Sequence, residues 1–327
     1  MRAAMISQLG RPPAVAETSD PAPGPGETLV EVIASSLNPI DINVGAGRFF
    51  AGHPPLPYVP GCEAVGRVLS SGAVDPGTLV WVFGQRFGTA HNGGLADRAV
   101  AGDGDVTALP DGAPPAIAAA LGIAGVAGWL PLSWRAPVRP DDRVLVLGAT
   151  GTVGLVAVQT ARLLGAGHVV AAGRSAQGLE RALEAGAEAC VSLEGQPVAE
   201  MARQFREAFG GQGPTYVVDP LWGEPVQAAL EAAAPGARIV NLGQSAGPSA
   251  QLTSAAVRGK QLEIYGHLNF AVPRDVLGAA HRTLIDHADA GRLRIPIAQV
   301  DLDDIGAAWE RQARGASEKL VVWVRER

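Results

Sequence analysis

The sequence predicts an α/β protein in two parts, a β-rich part and a doubly wound parallel sheet. Three observations carry this. The first hundred residues hold short β-branched runs separated by Pro/Gly clusters such as PAPGPGE and HPPLPYVPG, the grammar of a partly open barrel or sandwich. From about Val138, strand-like runs about 20 to 27 residues apart alternate with Ala/Leu/Glu/Arg-rich helical segments. Between the first such strand and its helix lies Gly148-Ala-Thr-Gly151-Thr-Val-Gly154.

Composition bounds the function classes. The 327 residues allow two domains at a prior of roughly 150 residues each. With 47% hydrophobic and 18% charged residues, the chain can bury large cores and carries no disorder signature. Its formal charge of −6, with no basic run, lacks the footprint of a nucleic-acid binder. Two cysteines, Cys62 and Cys190, lie far apart with no Cys-x-x-Cys, which excludes a disulfide framework and a thiolate zinc finger and favours a reducing, cytoplasmic setting. The N-terminus has no apolar run after a basic start, so no signal peptide is expected.

The elements follow in order. Strands are expected at 28–35, 63–70, 78–84 and 95–102, where Val, Ile and Thr cluster. Residues 113–134 carry no charge and are long enough to span a bilayer. They are Ala- and Gly-rich and broken by Pro114, Pro115 and Pro131, so a buried helix is expected and no membrane span. Parallel strands are expected at 143–148, 168–173, 189–193, 216–221, 238–243 and 262–267. Helices follow at 274–292 and 301–315, and a last strand near 319–324 returns to pair with the first part.

The glycine motif follows a strand and opens a helix, the context that a dinucleotide fingerprint requires. One glycine lets the chain turn, one admits the pyrophosphate against bare backbone, and one lets the helix pack close to the sheet. The helix N-terminus, at Thr150, Gly151, Thr152 and Val153, then offers free N–H groups to phosphate. An NAD enzyme places Asp or Glu at the end of the second strand. Here no acidic residue occurs between Gly154 and Glu180, and the strand ends Gly173-Arg174-Ser175. A guanidinium fork beside a hydroxyl suits a 2′-phosphate, so NADPH is the expected cofactor.

The ordered set SSLNPIDINVGAG (35–47), VPGCEAVGRV (59–68), NGGLADRAV (92–100), the glycine-motif segment 142–166, VVDPLWG (217–223), GARIVNLGQSAG (236–247) and EKLVVWV (318–324) resembles the medium-chain dehydrogenase/reductase superfamily, in its zinc-free quinone oxidoreductase branch. The resemblance implies a GroES-like catalytic domain from residues 1–118 and 270–327, around a Rossmann-type NADPH-binding domain at 119–269. It implies catalytic roles for Asn38 and Asn43, with Asn38 beside the nicotinamide, orienting either it or the substrate carbonyl. Further cofactor contacts are implied at Gly243, Gln244, Leu268, Asn269 and Lys319. Short-chain reductases are excluded, because none of Tyr58, Tyr216 and Tyr265 has a Lys four positions on. Zinc-using relatives carry Cys where Asn38 stands and His where Cys62 stands, so no metal is expected. A Lys that often assists the 2′-phosphate aligns near Gly178, and Arg181 could stand in for it. Hydride transfer to a quinone or α,β-unsaturated carbonyl is the expected reaction; alternatives are an NADPH-binding sensor with little turnover and an enone reductase of polyketide-type biosynthesis. An apolar edge at 262–267 predicts a homodimer.

Overall fold

A computed structural model of the protein describes residues 1–324. The chain divides into two compact units: Met1–Ala124 with Val272–Arg292 and the segment from Pro296 onward, and Gly125–Ala271 with Leu293–Ile295. The crossings therefore fall at 124/125 and 271/272, a few residues beyond the expected 118/119 and 269/270, and residues 293–295 belong to the second unit.

The first unit is organised on one ten-residue strand, Glu27–Ser36, whose alternate side chains are buried. One of its edges pairs antiparallel with Glu63–Ser70, around two register shifts. The other edge is shared: Glu27–Glu31 pair with Arg98–Gly102, and Ala34–Ser36 pair with the C-terminal strand Lys319–Trp323. The expected return of the chain end to the first part is thus observed. Leu79–Phe83 and Val106–Ala108 continue the sheet on one side, and Ile297–Asp301 closes the other. That last strand lies just before and at the start of the helix expected over 301–315, which is a correction: the chain runs as strand Ile297–Asp301, a single 3₁₀ turn and then helix Ile305–Ala313. The hairpin Arg2–Met5 with Ala14–Glu17 was also not legible in the sequence pattern. Both segments are four residues long, RAAM and AVAE, and Val15 is the one β-branched residue in them, so neither shows a strand pattern.

The second unit holds six parallel strands in the spatial order Ala189–Ser192, His168–Gly173, Arg143–Leu147, Tyr216–Asp219, Arg238–Asn241, Glu263–Gly266. The order reverses between Arg143–Leu147 and Tyr216–Asp219. In such sheets ligands bind beyond the carboxyl ends of the strands at this switch point. Helices pack on both faces and enclose two separate apolar clusters. Glu263–Gly266 forms an edge, with Ile264 exposed. Among the described residues no helix is long and apolar enough to cross a membrane. The uncharged segment 113–134 is not one helix but two, Pro115–Ala120 and Ile123–Leu130, followed by a π-helical turn at Pro131–Arg135.

His281, on helix Arg274–Asp289, is fully buried in the first unit. Its Nε2 donates to the Ala118 carbonyl at 2.8 Å, and its ring lies 4.4 Å from that of Trp81. Burial penalises the imidazolium and holds the pKa down at about 4. The unfolded chain takes up this proton near 6.5, whereas the folded one does not until about pH 4. The stability that this site contributes is complete above about pH 6.5 and declines toward pH 4. His281→Gln keeps a donor for Ala118 and removes the titration. On acidification from pH 7.5 to 5 the variant should therefore lose about 2 kcal/mol less than wild type, read as the difference in melting temperature. Asp41, whose burial raises its pKa to about 6, acts in the opposite direction but equally in both proteins.

Candidate active site

In the second unit the three glycines divide the work as their chemistry requires. Gly148 turns the chain at φ +63°, a left-handed conformation that side chains disfavour. At Gly154 a Cβ would lie 2.3 Å from the Gly148 carbonyl oxygen, so only glycine lets the helix start this close to the strand end. Gly151 is different: the nearest atom to a Cβ there is 3.7 Å away, which leaves its outer face open. It is the N-cap of helix Thr152–Leu163 and supplies no side-chain cap. The first-turn N–H groups of Thr152 and Val153 thus keep their capacity for an anion. A bare backbone cradle at a helix N-terminus on the switch strand fits a dinucleotide pyrophosphate.

Thr150 explains a departure from the family pattern. A Cβ at Gly173 would lie 2.4 Å from Thr150 Cγ2, and a Cβ at Gly178 only 2.5 Å from Thr150 Cβ. Threonine fills the space that side chains at both positions would need, so a lysine at 178 is sterically excluded. Arg174 and Ser175 are exposed at the end of the second strand. The Ser175 hydroxyl accepts from the Gly178 N–H at 3.2 Å and caps helix Ala176–Glu184, leaving its own proton to donate. Arg181 bonds Gln177 on the same helix at 3.0 Å.

The loops after the next two strands brace each other. Asp219, fully buried, accepts from the Leu221 and Trp222 N–H groups at 3.0 and 2.8 Å and from Asn241 Nδ2 at 2.9 Å. Burial raises its pKa, and these three donors oppose that shift. They hold Trp222 at φ +55°, an uncommon conformation for an aromatic residue. A Cβ at Gly243 would meet the Pro220 carbonyl oxygen at 2.5 Å, so the loop carrying Gly243 and the exposed Gln244 presses directly on this turn. Leu268 is exposed beyond the last strand, and Asn269 Oδ1 lies 3.0 Å from His267 Nε2.

In the first unit Asn38 is the N-cap of helix Pro39–Gly45, but its side chain does not cap it. Asp41, one turn on, accepts the Asn38 N–H at 2.7 Å and the Cys62 N–H at 2.7 Å, tying the two chain segments together. The Asn38 amide instead lies between two buried charges. Nδ2 donates to Glu63 Oε1 at 2.7 Å, and Oδ1 accepts from Lys319 Nζ at 2.6 Å. Lys319 also donates to the Leu37 carbonyl at 2.9 Å. Burial lowers the Lys319 pKa, and the Glu63 and Asp41 charges oppose that shift. The structure thus joins Asn38 to Lys319, while Asn43 is exposed and bonded at 3.5 Å to Arg48. Glu63 was not foreseen as a site residue. An acidic residue opening a strand reads as solvent-facing, and only Gly61-Cys62-Glu63 beside Asn38 hinted otherwise. Burial also drives the Cys62 thiol pKa well up, so it is no nucleophile.

Comparisons with known proteins agree with this architecture. Residues 24–111 match the alcohol dehydrogenase GroES-like domain family, and residues 152–283 match the zinc-binding dehydrogenase family. A phenolphthiocerol/phthiocerol polyketide synthase from Mycobacterium tuberculosis is 30% identical over 97% of this chain, which spans only 14% of that protein's length. Quinone oxidoreductase-like protein 2 from Bos taurus is 27% identical over 94% of this chain and 88% of its own. A solved Escherichia coli quinone oxidoreductase complexed with NADPH superposes with a TM-score of 0.86 at 22% identity, covering 99% of this chain and 100% of its own. The chain belongs to the medium-chain dehydrogenase/reductase superfamily, in the quinone oxidoreductase-like branch, and has its GroES-like and Rossmann-type domains.

The two glycines permit a clean separation of folding from binding. Gly154→Ala should destabilise the protein by about 1–3 kcal/mol through overpacking, seen as a lower melting temperature. Gly151→Ala should melt as wild type yet bind NADPH about 5- to 150-fold more weakly, the same overpacking now falling on the ligand. Equal losses of stability in both variants would count against an open cradle at Gly151.

Proposed function

We propose that this chain is an NADPH-dependent, zinc-independent oxidoreductase that delivers hydride to a quinone or an α,β-unsaturated carbonyl. The observation that carries the reading is the second-strand terminus, where an exposed guanidinium and a hydroxyl stand in place of a carboxylate, next to a helix N-terminus that only glycines could shape. Bound NADPH supplies a hydride. Thr152 and Val153 N–H groups hold its pyrophosphate, and Arg174 with Ser175 holds its 2′-phosphate. Zinc independence is supported by the place where zinc relatives carry cysteine. Asn38 stands there, with its amide bonded to Glu63 and Lys319. Without a metal, a conjugated acceptor is the suitable substrate, because its carbonyl delocalises the incoming electron pair and the resulting oxyanion takes a proton from water.

A second reading, enone reduction in polyketide-type biosynthesis, is favoured by the likeness to the mycobacterial polyketide synthase over nearly the whole chain. NADPH absorbance at 340 nm with a panel of quinones, alkenals and thioester enones separates the readings. No turnover with any acceptor, despite tight NADPH binding, would leave the sensor reading. The protein is also proposed to be a cytoplasmic homodimer paired through Glu263–Gly266, whose exposed edge invites a second copy. A monomeric mass in light scattering at micromolar concentration would count against that pairing. Turnover lost to a chelator, with stoichiometric zinc by elemental analysis, would count against zinc independence.

Cofactor choice is testable at one residue. Charge-assisted hydrogen bonds contribute about 1.5–3 kcal/mol, so Arg174→Ala should weaken NADPH about 10- to 150-fold and leave NADH nearly unchanged. The preference should fade as salt rises, since an exposed ion pair is screened. Ser175→Ala is a less clean probe because it also removes a helix cap. If kcat/KM favours NADH in wild type, or if both cofactors suffer equally in the variant, Arg174 is not a phosphate clamp.

A further inference from the structure

The strand Arg98–Gly102 has one edge paired and one edge open. Its partner is Glu27–Glu31, with Glu31 opposite Arg98 and Glu27 opposite Gly102. Two hydrogen bonds at the ends of this ladder fix which way each peptide group points. Val32 N–H donates to the Asp97 carbonyl at 3.0 Å, and Asp103 N–H donates to the Gly26 carbonyl at 2.9 Å. Bonded and non-bonded pairs alternate along an antiparallel ladder, so Val30–Ala99 and Thr28–Ala101 are the bonded ones between these ends. The N–H and C=O groups of Arg98, Val100 and Gly102 therefore point away from Glu27–Glu31. Among the described residues no other strand pairs with this one, and no backbone group reaches the N–H or C=O of Val100 from that side.

The open edge forms one wall of a cleft of about 470 Å³, within the range of about 300–1,000 Å³ typical of ligand sites. Every lining residue belongs to the first unit. The facing wall is the loop from Arg86 to Gly93, folded on itself by the Ala90 and His91 N–H groups, which donate to the Arg86 carbonyl at 3.0 and 2.9 Å. Its donors are free. Asn92 Oδ1 accepts the Val59 N–H at 2.9 Å, which leaves both amide protons. The Arg86 guanidinium is exposed and has no acidic partner among the described residues. Arg98 is paired with Asp20 through Nη1 and keeps a buried Nε without a partner. Of the acids on the lining, Asp105 is paired with Arg274, and Glu27 accepts the Gly24 N–H at 2.7 Å.

The same edge already takes a strand a few residues earlier. Ala3 bridges Ala96 in the antiparallel sense, and Asp97 N–H donates to the Arg2 carbonyl at 3.0 Å. Contacts of that kind stop at Arg2. We propose that the cleft is a docking site where an extended acidic segment of a partner protein adds as a strand along Arg98–Gly102, antiparallel and in line with Arg2–Met5. Its backbone pairs with Val100, and a carboxylate side chain reaches Arg86 and Asn92. In strand additions of this kind main-chain bonds supply the affinity and side chains the choice of partner. The loop wall keeps a whole sheet from approaching, so the open edge does not invite edge-to-edge aggregation.

Amide hydrogen exchange and peptide binding test this together. In the free protein Val100 should exchange faster than Ala99 and Ala101, whose N–H groups lie in the ladder. The probes are blocked hexapeptides of alternating valine and threonine, with one glutamate moved through the six positions, and matched peptides carrying lysine. By fluorescence anisotropy at low salt, glutamate should be preferred over lysine by about 2- to 5-fold in the best register, and Arg86→Glu should invert that preference. N-methylation of the best peptide should weaken binding about 3- to 10-fold at alternate positions only, since every second N–H faces the edge. Binding should also slow exchange at Val100. Val100 as protected as its neighbours in the free protein overturns the inference, as does failure of every glutamate peptide to bind. So does binding that leaves Val100 exchange unchanged or that free succinate displaces at equal concentration, the results expected of a small-anion site.

Discussion

A carboxylate removed from water survives only where donors replace its hydration, and Glu63 is fully buried. Its donors come from across the first unit. Ser36 ends the long central strand, Asn38 stands at the start of the helix after it, and Trp81 lies on the strand paired beside Glu63. Ile123 opens a helix, and Lys319, at the start of the last strand, adds its charge at 4.0 Å without a direct hydrogen bond. Leaving one partner of such a group missing typically costs about 3–5 kcal/mol, so these segments are held to one arrangement. The C-terminal strand pairs with Ser36 in the register that brings the Lys319 ammonium to Asn38. Gly122 has no side chain because the carboxylate is there.

The second unit solves its problem by the opposite means. Where the first unit places charges, this one removes side chains. Gly154 admits the Gly148 carbonyl, Gly173 and Gly178 admit Thr150, and Gly243 admits Pro220. The result is bare backbone at the strand ends, which is what a polyanion needs, since N–H groups at a helix start attract negative charge without any side chain to desolvate. Arg174 adds an exposed positive charge at the end of the second strand. Of the buried acids of this unit, Asp142 is paired with Arg238, and Asp219 is spent on the backbone of its own turn and on Asn241, so it stiffens the loop.

Asp41 links these themes. It is tied to the N–H groups of Asn38 and Cys62, fixing the distance between the helix start at Asn38 and the strand that carries Glu63. Burial raises both its own pKa and that of the Cys62 thiol beside it, leaving the cysteine a small, unreactive wall.

Most of the second unit could be read from the residues, because its strands are continuous Val/Ile/Leu/Ala runs and its loops are marked by glycines whose spacing has one steric explanation. The strand His168–Gly173 begins and ends where the pattern says, and Arg174 follows it directly. Lys319 was legible only as a family position, and the pattern was silent on Glu63 and on the strand Ile297–Asp301. The uncharged stretch 113–134 read as one helix, since nothing local announces that Gly122 interrupts it to admit a carboxylate from sixty residues earlier. The sequence by itself determined the parallel sheet, the glycine-shaped helix start and the absence of an acidic residue at the end of the second strand, all matters of local periodicity and composition. Only the tertiary structure decided which polar residues are buried together and how the Asn38 amide is turned, because a hydrogen-bond network is assembled from groups that meet only after the chain has folded.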